Sequence, residues 1–446
     1  MVSADIAADL VADVPDAKPD EPPAPGAWTW LVLLIALTLS CALCTYALDG
    51  MVDPVKATLG LSDGSMSFLL GWAYVGTYAL ASLPGGWIVD HAPRRLMLAL
   101  AAVTWGGGAI LCGLAQSFGA FAGGRVMVGL GQAMLAPATM SILADSFPAR
   151  LRARVFGAAL AAGGVGPGVG LTATGLLLSA TAQAGVGAHV GWRVAFLVCA
   201  APSLLVALAL LLRREPPRRD RPAPTAVAPT MVAATPPDRQ FWSLLLVTLL
   251  AIGAVTLSDG AQLSWSAAAL VREHALPVAE AARRAGLVFI VCGAGGPLLA
   301  GTLADALYRR HGIAGRLMVG VAAVGLLIPL QCLYRTSTAG ELIIVLLGTG
   351  LTVVTGEVVG AAVLQDIVPD SRRGLAAAAN SLCGSIAIGL GTTGVAVLSH
   401  HWPSTSHPVT SAMSLATAPA SALALAVFLV LWGLVRRGRA ATYAGA

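Results

Sequence analysis

Twelve long apolar runs, separated by short polar segments, make up most of the chain. Each run is long enough to cross the roughly 30 Å hydrocarbon core of a bilayer as an α-helix, which rises about 1.5 Å per residue. The pattern therefore predicts an all-α membrane protein with twelve transmembrane helices. The predicted spans are residues 28–52, 65–89, 95–115, 118–144, 153–180, 192–213, 241–269, 283–306, 315–334, 340–366, 373–398 and 416–436.

One long polar segment divides these spans into six plus six. Residues 214–240 are rich in proline and arginine and lack an apolar period, which is typical of a linker. We therefore expect two six-helix bundles, formed by residues 28–213 and 241–436. The flanking residues 1–27 and 437–446 carry no apolar run, and we expect two tails there, the first of them disordered.

A ten-residue motif occurs once in each predicted bundle, between the second and third spans of that bundle. The first copy reads GWIVDHAPRR and the second reads GTLADALYRR. Glycine permits close helix packing in lipid, and arginines at a helix end can bind carboxylates or free carbonyls. We interpret the motif as a conformational latch, with membrane orientation as the simpler alternative. The candidate latch residues are Gly86, Asp90, Arg94 and Arg95 in the first repeat and Gly301, Asp305, Arg309 and Arg310 in the second.

A second pattern also occurs in both halves. Asp145, Pro148 and Arg152 follow the fourth span, and Asp366, Pro369 and Arg373 follow the tenth span with the same spacing. Proline ends each helix, and the arginine anchors the turn at the membrane face. The two patterns together predict that the bundles are related by pseudo-symmetry.

Composition and charge set the class of protein. Of 446 residues 57% are apolar and 11% charged, and the mean hydropathy is +0.80. The net charge of +5 does not indicate a nucleic-acid partner, because the basic residues lie in short loops between spans. Their distribution predicts that both termini and the linker are cytoplasmic. We expect a multi-pass protein of the bacterial inner membrane.

Four charged residues lie within the predicted spans: Asp49, Arg125, Asp259 and Glu357. Each costs about 2.5–3.5 kcal/mol at the bilayer centre on insertion scales, so their presence points to function. Asp49 and Arg125 fall in the outer parts of their spans, where an ionised Asp49 would pair with Arg125 and a protonated Asp49 would release it. The alternative for Asp49 is a solvated position in the headgroup layer.

Further residues complete the predicted cavity. Asp259 occupies its span roughly where Asp49 occupies the first, and Trp265 six residues later is a candidate ligand contact. Glu357 lies between two glycines, where it would line the cavity or form a buried structural hydrogen bond. Gln132 lies seven residues after Arg125 on the same predicted span.

The two GxxxDxxxRR loops resemble the signature of the major facilitator superfamily, and the resemblance covers residues 28–436. Within it, Tyr46–Asp63, Arg125–Ala138 and Gly191–Arg193 resemble the spinster-like and anion:cation symporter branches. This resemblance implies two bundles that rock about a central cavity, commonly driven by a proton or sodium gradient. The chain departs from these branches at Gly50, where they usually carry arginine, and at Gln132, where the symporter branch often carries glutamate.

These observations predict a secondary transporter of a small anionic or amphipathic organic solute, a proton-coupled symporter working by alternating access. One alternative is a proton antiporter that exports lipophilic compounds or lipids, and a more remote one is a non-transporting membrane receptor. We expect no enzyme activity, since no P-loop, dinucleotide fingerprint or catalytic triad occurs in a suitable context. We expect no metal and no cofactor, the coupling ion being H⁺, and a chain that functions as a monomer in the lipid bilayer.

Overall fold

The computed structural model describes residues 22–218, 239–369, 372–401 and 406–436. Apart from turns and short connections, this part of the chain is helical. The helices, in chain order, are α1 (Ala27–Tyr46), α2 (Val52–Leu59), α3 (Asp63–Leu70), α4 (Thr77–His91), α5 (Arg94–Leu114), α6 (Phe118–Gln132), α7 (Leu135–Ser146), α8 (Ala149–Gln183), α9 (Ala188–Leu211), α10 (Arg239–His274), α11 (Val278–His311), α12 (Ile313–Cys332), α13 (Ala339–Ile367), α14 (Arg373–His401) and α15 (Pro408–Arg436).

The all-α membrane fold predicted from the apolar runs is confirmed. In the described residues, eleven helical segments are long and apolar enough to cross a bilayer, with α6 and α7 forming one of them. The predicted second span is divided, because the backbone departs from helical angles at Gly71 (φ −98°, ψ −88°) and a π-helical turn, Trp72–Gly76, follows. A glycine and a π turn are common causes of such an interruption.

Several helices extend beyond the predicted spans at both ends. Helix α8 covers residues 149–183 where 153–180 was predicted, and α11 covers 278–311 where 283–306 was predicted. Hydropathy marks only the part of a helix that crosses lipid, and polar residues such as Arg150 and Arg309 continue the helix past it. These extensions place polar and charged side chains at the two faces of the protein.

Chain connections alternate between two faces. We call one the linker face, because it carries the α4–α5 and α7–α8 turns together with residues 213–218. The distal face carries residues 47–62 and the α10–α11 turn. In the described part of the predicted N-terminal tail, the Ala24 amide donates to the Ser146 carbonyl (2.9 Å) at the linker face. The predicted tail residues 1–21 and 437–446 and linker residues 219–238 lie outside the described residues.

Two buried apolar clusters fill the described part of the protein. In the larger one, the rings of Phe121, Trp192 and Phe196 pack together with centroids 5.6–6.2 Å apart. This cluster continues into the C-terminal half through residues of α10, α11 and α13, so apolar packing also joins the halves. A second cluster, with Val324 and Phe428 fully buried, lies within the C-terminal half.

The halves meet along α8 and α11, where glycines replace side chains. A Cβ atom added at Gly293 would lie 2.0 Å from the Gly164 carbonyl oxygen, and one at Gly168 would lie 2.3 Å from the Ile290 nitrogen. This contact runs from the distal face to the middle of both helices. Nearer the linker face, added Cβ atoms at Gly157 and Gly301 would meet nothing within 4 Å. The halves are therefore packed together at the distal side and part toward the linker face.

Candidate functional site

A cavity of about 230 Å³ lies between the two halves. Its lining combines aromatic, polar and ionisable side chains from α1, the π turn, α6, α8, α10 and α14. The residues that line it are Thr45, Tyr46, Asp49, Leu70, Tyr74, Val75, Tyr78, Arg125, Gln132, Pro167, Asp259, Leu263, Ser264, Ser385 and Ile388. A site with an apolar wall and a few convergent polar groups suits a small organic molecule.

The structure brings one carboxylate from each half into this cavity. Asp49 lies in a 3₁₀ turn, Leu48–Gly50, just after α1, and is 4% exposed. Asp259 lies on α10 and is half-buried. Both line the cavity with Ser264 of the second half. A proton or a cation in the cavity would therefore contact groups from both halves.

Arg125 is used differently from the predicted ion pair. Its Nε donates to the Leu69 carbonyl (2.9 Å) and its Nη1 to the Thr45 carbonyl (2.7 Å). The guanidinium carbon also lies 5.0 Å from the centre of the Tyr74 ring. Among the described residues no ion pair joins Arg125 to Asp49. Both carbonyls lie where a helix is interrupted, so they lack the amide donor that a continuous helix would supply. Arg125 donates to them and satisfies the acceptors that α1 and α3 leave open.

Gln132 is held with its amide oriented. The Tyr74 hydroxyl and the Thr45 hydroxyl both donate to the Gln132 Oε1 atom, at 2.8 and 3.2 Å. The oxygen is thereby fixed as the acceptor, and the NH₂ group keeps no partner among the described residues. Since Gln132 lines the cavity, this NH₂ group can donate to a solute.

Two predicted cavity residues lie outside the lining in this state. Trp265 is fully buried, and its indole N–H donates to the Thr392 carbonyl (2.9 Å) within the C-terminal half. Glu357 is half-buried on α13. On α10 the cavity is instead lined by Leu263 and Ser264, the two positions before Trp265.

A group of four charged side chains joins the halves at the distal face; we call it the distal cluster, formed by Asp53, Lys56, Asp63 and Arg272. Arg272 at the end of α10 donates to Asp53 (2.8 Å) and to both Asp63 oxygens (3.0 and 2.9 Å). Lys56 donates to Asp63 at 2.8 Å. Charge-assisted hydrogen bonds of this kind close the distal side of the cavity. The sequence analysis did not identify this site.

In the first repeat the arginines bind carboxylates and carbonyls at the linker face. Arg94 is 1% exposed; it pairs with Asp145 and donates through Nε to Glu215 at 2.9 Å. Glu215 also accepts from the amides of Arg94 and Arg95 (3.2 and 3.3 Å), which begin α5. A carboxylate there satisfies free helix amides and the helix dipole. The surroundings of Gly86 and the side chain of Asp90 lie outside the described part of the structure.

The second repeat uses a different arginine from those predicted. Arg309 and Arg310 are exposed at the end of α11. Arg316 on α12 instead pairs with Asp366 at 2.5 Å and lies 3.8 Å from Asp305. The pairs Arg94–Asp145 and Arg316–Asp366 are 51 and 50 residues apart in sequence, so they are equivalent in the two halves. The sequence signal was available, because Asp145 and Asp366 already appear as a repeated pair.

We expect Arg316→Gln to lower stability far more than Arg310→Gln. Removing one partner of a largely buried ion pair costs about 3 kcal/mol or more, whereas exposed substitutions change stability by about 0.5 kcal/mol or less. Thermal unfolding of the detergent-purified variants measures this difference. Equal melting temperatures for the two variants would contradict the assignment of Arg316 to the second latch.

Comparison with known proteins shows which family has this architecture. The family model described as Major Facilitator Superfamily matches residues 34–392. Over 265 residues the chain is 26% identical to an MFS-type efflux pump of Mycolicibacterium smegmatis, covering 58% of each chain. It is 30% identical over 188 residues to the puromycin resistance protein of Streptomyces alboniger, covering 42% of this chain and 35% of that one. The chain thus spans about a third to three fifths of the length of these relatives.

A solved structure of a bacterial homologue of the human lysosomal transporter Spinster, inward-facing and unoccupied, has the same fold. Its TM-score is 0.72 at 21% identity, and the match covers 94% of this chain and 98% of that one. Members of the matched family are membrane transporters and not enzymes. This chain is an integral multi-pass membrane protein that belongs to the Major Facilitator Superfamily.

Proposed function

We propose that this protein is a proton-coupled secondary transporter that moves a small amphipathic organic solute by alternating access. The observation that carries the proposal is the cavity between the halves, which holds Asp49 and Asp259 and is closed on one side by the distal cluster. With the linker face cytoplasmic in a bacterial inner membrane, the described state is inward-facing. The solved structure of the Spinster homologue is inward-facing as well.

The position of the two carboxylates supports proton coupling. The proton affinity of a carboxylate changes with solvent access and with nearby charge. When the halves rock, the groups around Asp49 and Asp259 change, and water reaches the two carboxylates from the other side of the membrane. A proton taken up on one side is then released on the other, and solute binding competes with it for the same carboxylates. A single chain contains the whole cavity, so we propose that it functions as a monomer.

The charges in the cavity favour an amphipathic cation over an anion. Arg125 is the cationic side chain in the lining, and two of its nitrogens already donate to backbone carbonyls. Two carboxylates and the rings of Tyr74 and Tyr78 remain for a cationic, partly aromatic solute, and tyrosine faces attract cations. The similarity to an efflux pump and to a puromycin resistance protein supports export as the direction of transport. The anionic substrate predicted from sequence would require Arg125 to leave these carbonyls.

Transport in liposomes tests the proposal. Purified protein is reconstituted and given an imposed pH gradient, with ethidium as the cationic probe and galacturonate as the anionic one. We expect gradient-driven movement of ethidium and none of galacturonate. Movement of galacturonate alone would support the anion symporter, and movement of neither probe with any gradient would favour the non-transporting receptor.

We expect Gln132→Leu to weaken solute binding while proton coupling persists. The substitution removes the amide NH₂ donor and leaves the hydroxyls of Tyr74 and Thr45 without their acceptor. Loss of one hydrogen bond of about 1.4 kcal/mol corresponds to roughly a tenfold increase in KM. Initial rates across a range of probe concentrations measure this change, and an unchanged KM with a lost pH response would contradict the role given to Gln132.

A further inference from the structure

A second cavity lies in the N-terminal half, on the other side of α4 and α6 from the central one. It is a groove of about 620 Å³ between α4, α5 and the α6–α7 junction. Apart from two threonines its lining is apolar and includes Leu80, Pro84 and Leu100. The hydroxyls of Thr77 and Thr104 donate to the Ala73 and Leu100 carbonyls, four residues earlier, at 2.9 and 2.8 Å. The groove therefore offers no polar group that a ligand must satisfy.

The groove is open to the bilayer. Leu80 and Leu100 on its two walls are 70% and 57% exposed. Leu80 lies within the predicted span 65–89, and Leu100 lies on α5, which is long and apolar enough to cross a bilayer. It is separate from the central cavity, because the two cavities are lined by alternate positions of the same helices. Thr77 and Gly131 line the groove, whereas Tyr78 and Gln132 line the central cavity. An occupant of the groove enters from lipid and lies outside the solute pathway.

The length of the groove matches one leaflet. Its lining on α4 runs from Thr77 to Ile88, eleven residues or about 16 Å at 1.5 Å per residue. Half of a hydrocarbon core about 30 Å thick is about 15 Å. The Ile88 end points to the linker face, and the Thr77 end lies near the middle of the membrane. One acyl chain of a lipid in the linker-face leaflet would fill this length.

The linker-face end of the groove is basic. Arg218 donates to the carbonyls of Val89 and Ala92 (3.0 and 2.8 Å), directly after Ile88. The turn and the linker around it, residues 91–95 and 213–218, contain five arginines and one glutamate. Even with Asp90 and Asp145 included, positive charge is in excess, and Arg94 already neutralises Asp145 and Glu215. Basic pockets at the ends of membrane helices bind anionic headgroups.

We propose that this groove binds an anionic glycerophospholipid of the bilayer, with one acyl chain between α4 and α5 and the headgroup at Arg218. The site is independent of the transported solute. A lipid bound to the folded state and not to the unfolded one raises the melting temperature. Its contacts with both helices of the first repeat would stabilise the Arg94 interactions across the α4–α5 turn.

Lipid binding to the delipidated, detergent-purified full chain tests the proposal. Dioleoylphosphatidylglycerol and dioleoylphosphatidylcholine are titrated separately, and bound lipid is counted by native mass spectrometry alongside thermal unfolding. We expect the anionic lipid to be retained roughly fivefold or more over the zwitterionic one, about 1 kcal/mol. Equal retention of the two lipids would overturn the proposed headgroup site.

Two pairs of variants separate the groove from non-specific lipid. Ala81→Phe fills the groove, and Ala201→Phe adds the same ring to an exposed position on α9. Arg218→Gln removes one charge at the headgroup end, and Arg335→Gln removes one from an exposed position at the distal face.

Only the first variant of each pair should lose lipid: Ala81→Phe should lose retention, and Arg218→Gln should lose the preference for the anionic headgroup. Retention equal to wild type in both would overturn the proposal, as would displacement of the lipid by ethidium, which would make the groove part of the solute pathway. If Ala81→Phe does not fold, Arg218→Gln decides the headgroup site, because its side chain is exposed and its loss leaves the core unchanged.

Discussion

Asp49→Asn is expected to reduce solute movement driven by a pH gradient to the level of protein-free liposomes. Asparagine keeps the shape of the side chain but cannot carry a proton, so the halves can still exchange solute without coupling it to the gradient. Uptake of labelled probe under an imposed gradient measures coupling, and exchange of labelled for unlabelled probe at equal pH measures the remaining conformational cycle.

A carboxylate outside the cavity provides the control for this substitution. Glu280 pairs with Arg284 one turn away on α11, and its side chain is 33% exposed. Such a pair contributes about 0.5 kcal/mol or less, so Glu280→Gln should leave both assays unchanged. Gradient-driven uptake that survives in Asp49→Asn would remove Asp49 from the coupling mechanism and leave Asp259 as the candidate.

Arg272→Gln is expected to open the distal side of the protein. Arg272 is the group in the distal cluster through which α10 binds Asp53 and Asp63 of the other half. Loss of charge-assisted hydrogen bonds worth about 3 kcal/mol in total would shift the ratio of closed to open states by roughly a hundredfold. Spin labels at the exposed residues Ala57 and Ser337, one in each half, report this change as a longer distance between labels.

Arg284→Gln makes the same change of charge near the same face within one half, and it should leave the label distance unchanged. If Arg272→Gln also leaves the distance distribution unchanged, the distal cluster is not the closing contact. Glycine packing between α8 and α11 would then be sufficient to hold the distal side closed.

The distal cluster also limits how pH can act on the protein. Burial favours a raised pKa for Asp63, but hydrogen bonds from Arg272 and Lys56 outweigh it and hold the pKa below its ordinary value of 3.8. The stabilisation from this carboxylate is complete above the ordinary pKa and is lost only as pH falls through the lowered one. The contribution of Asp63 to the distal closure should therefore be insensitive to pH between 5 and 8. A pH dependence of transport in that range must come from groups other than Asp63, and we propose the cavity carboxylates.

The number and order of the spans were predictable because hydropathy over about 20 residues reports lipid-crossing helices directly. The interruption of the second span at Gly71 was not, since a single π turn changes neither its length nor its composition. This interruption has consequences for the site: Arg125 binds the Leu69 carbonyl there and does not form the predicted pair with Asp49. Backbone acceptors opened by helix breaks are invisible to a search for pairs of charged side chains.

In the second repeat, matching the letters of the motif did not identify the arginine that binds the repeated aspartate. GTLADALYRR aligns with the first repeat by letters, but α11 continues past it to His311 and the turn comes at Gly312. The arginine that binds the repeated aspartate is then Arg316, on the next helix. Sequence spacing to Asp366 would have identified it, because its offset of 50 residues is within one of the 51 between Arg94 and Asp145.

The distal cluster required the tertiary structure. Asp53 and Asp63 are more than 200 residues from Arg272 in sequence and lie in short distal segments whose charges first indicated only orientation. The packing of α10 against the 3₁₀ turn after α1 brings them together. The position of Trp265 also required the structure, because Ser264, the preceding residue on α10, does line the cavity.

Simultaneous measurement of proton and solute flux distinguishes proton-coupled transport from uncoupled movement of the solute. Liposomes containing the purified chain and an internal pH dye are given an ethidium gradient with no initial pH difference. We predict a pH change inside the liposomes that rises with the amount of ethidium moved and that disappears in Asp49→Asn. Ethidium movement with no accompanying proton flux in the unmodified protein would contradict the account.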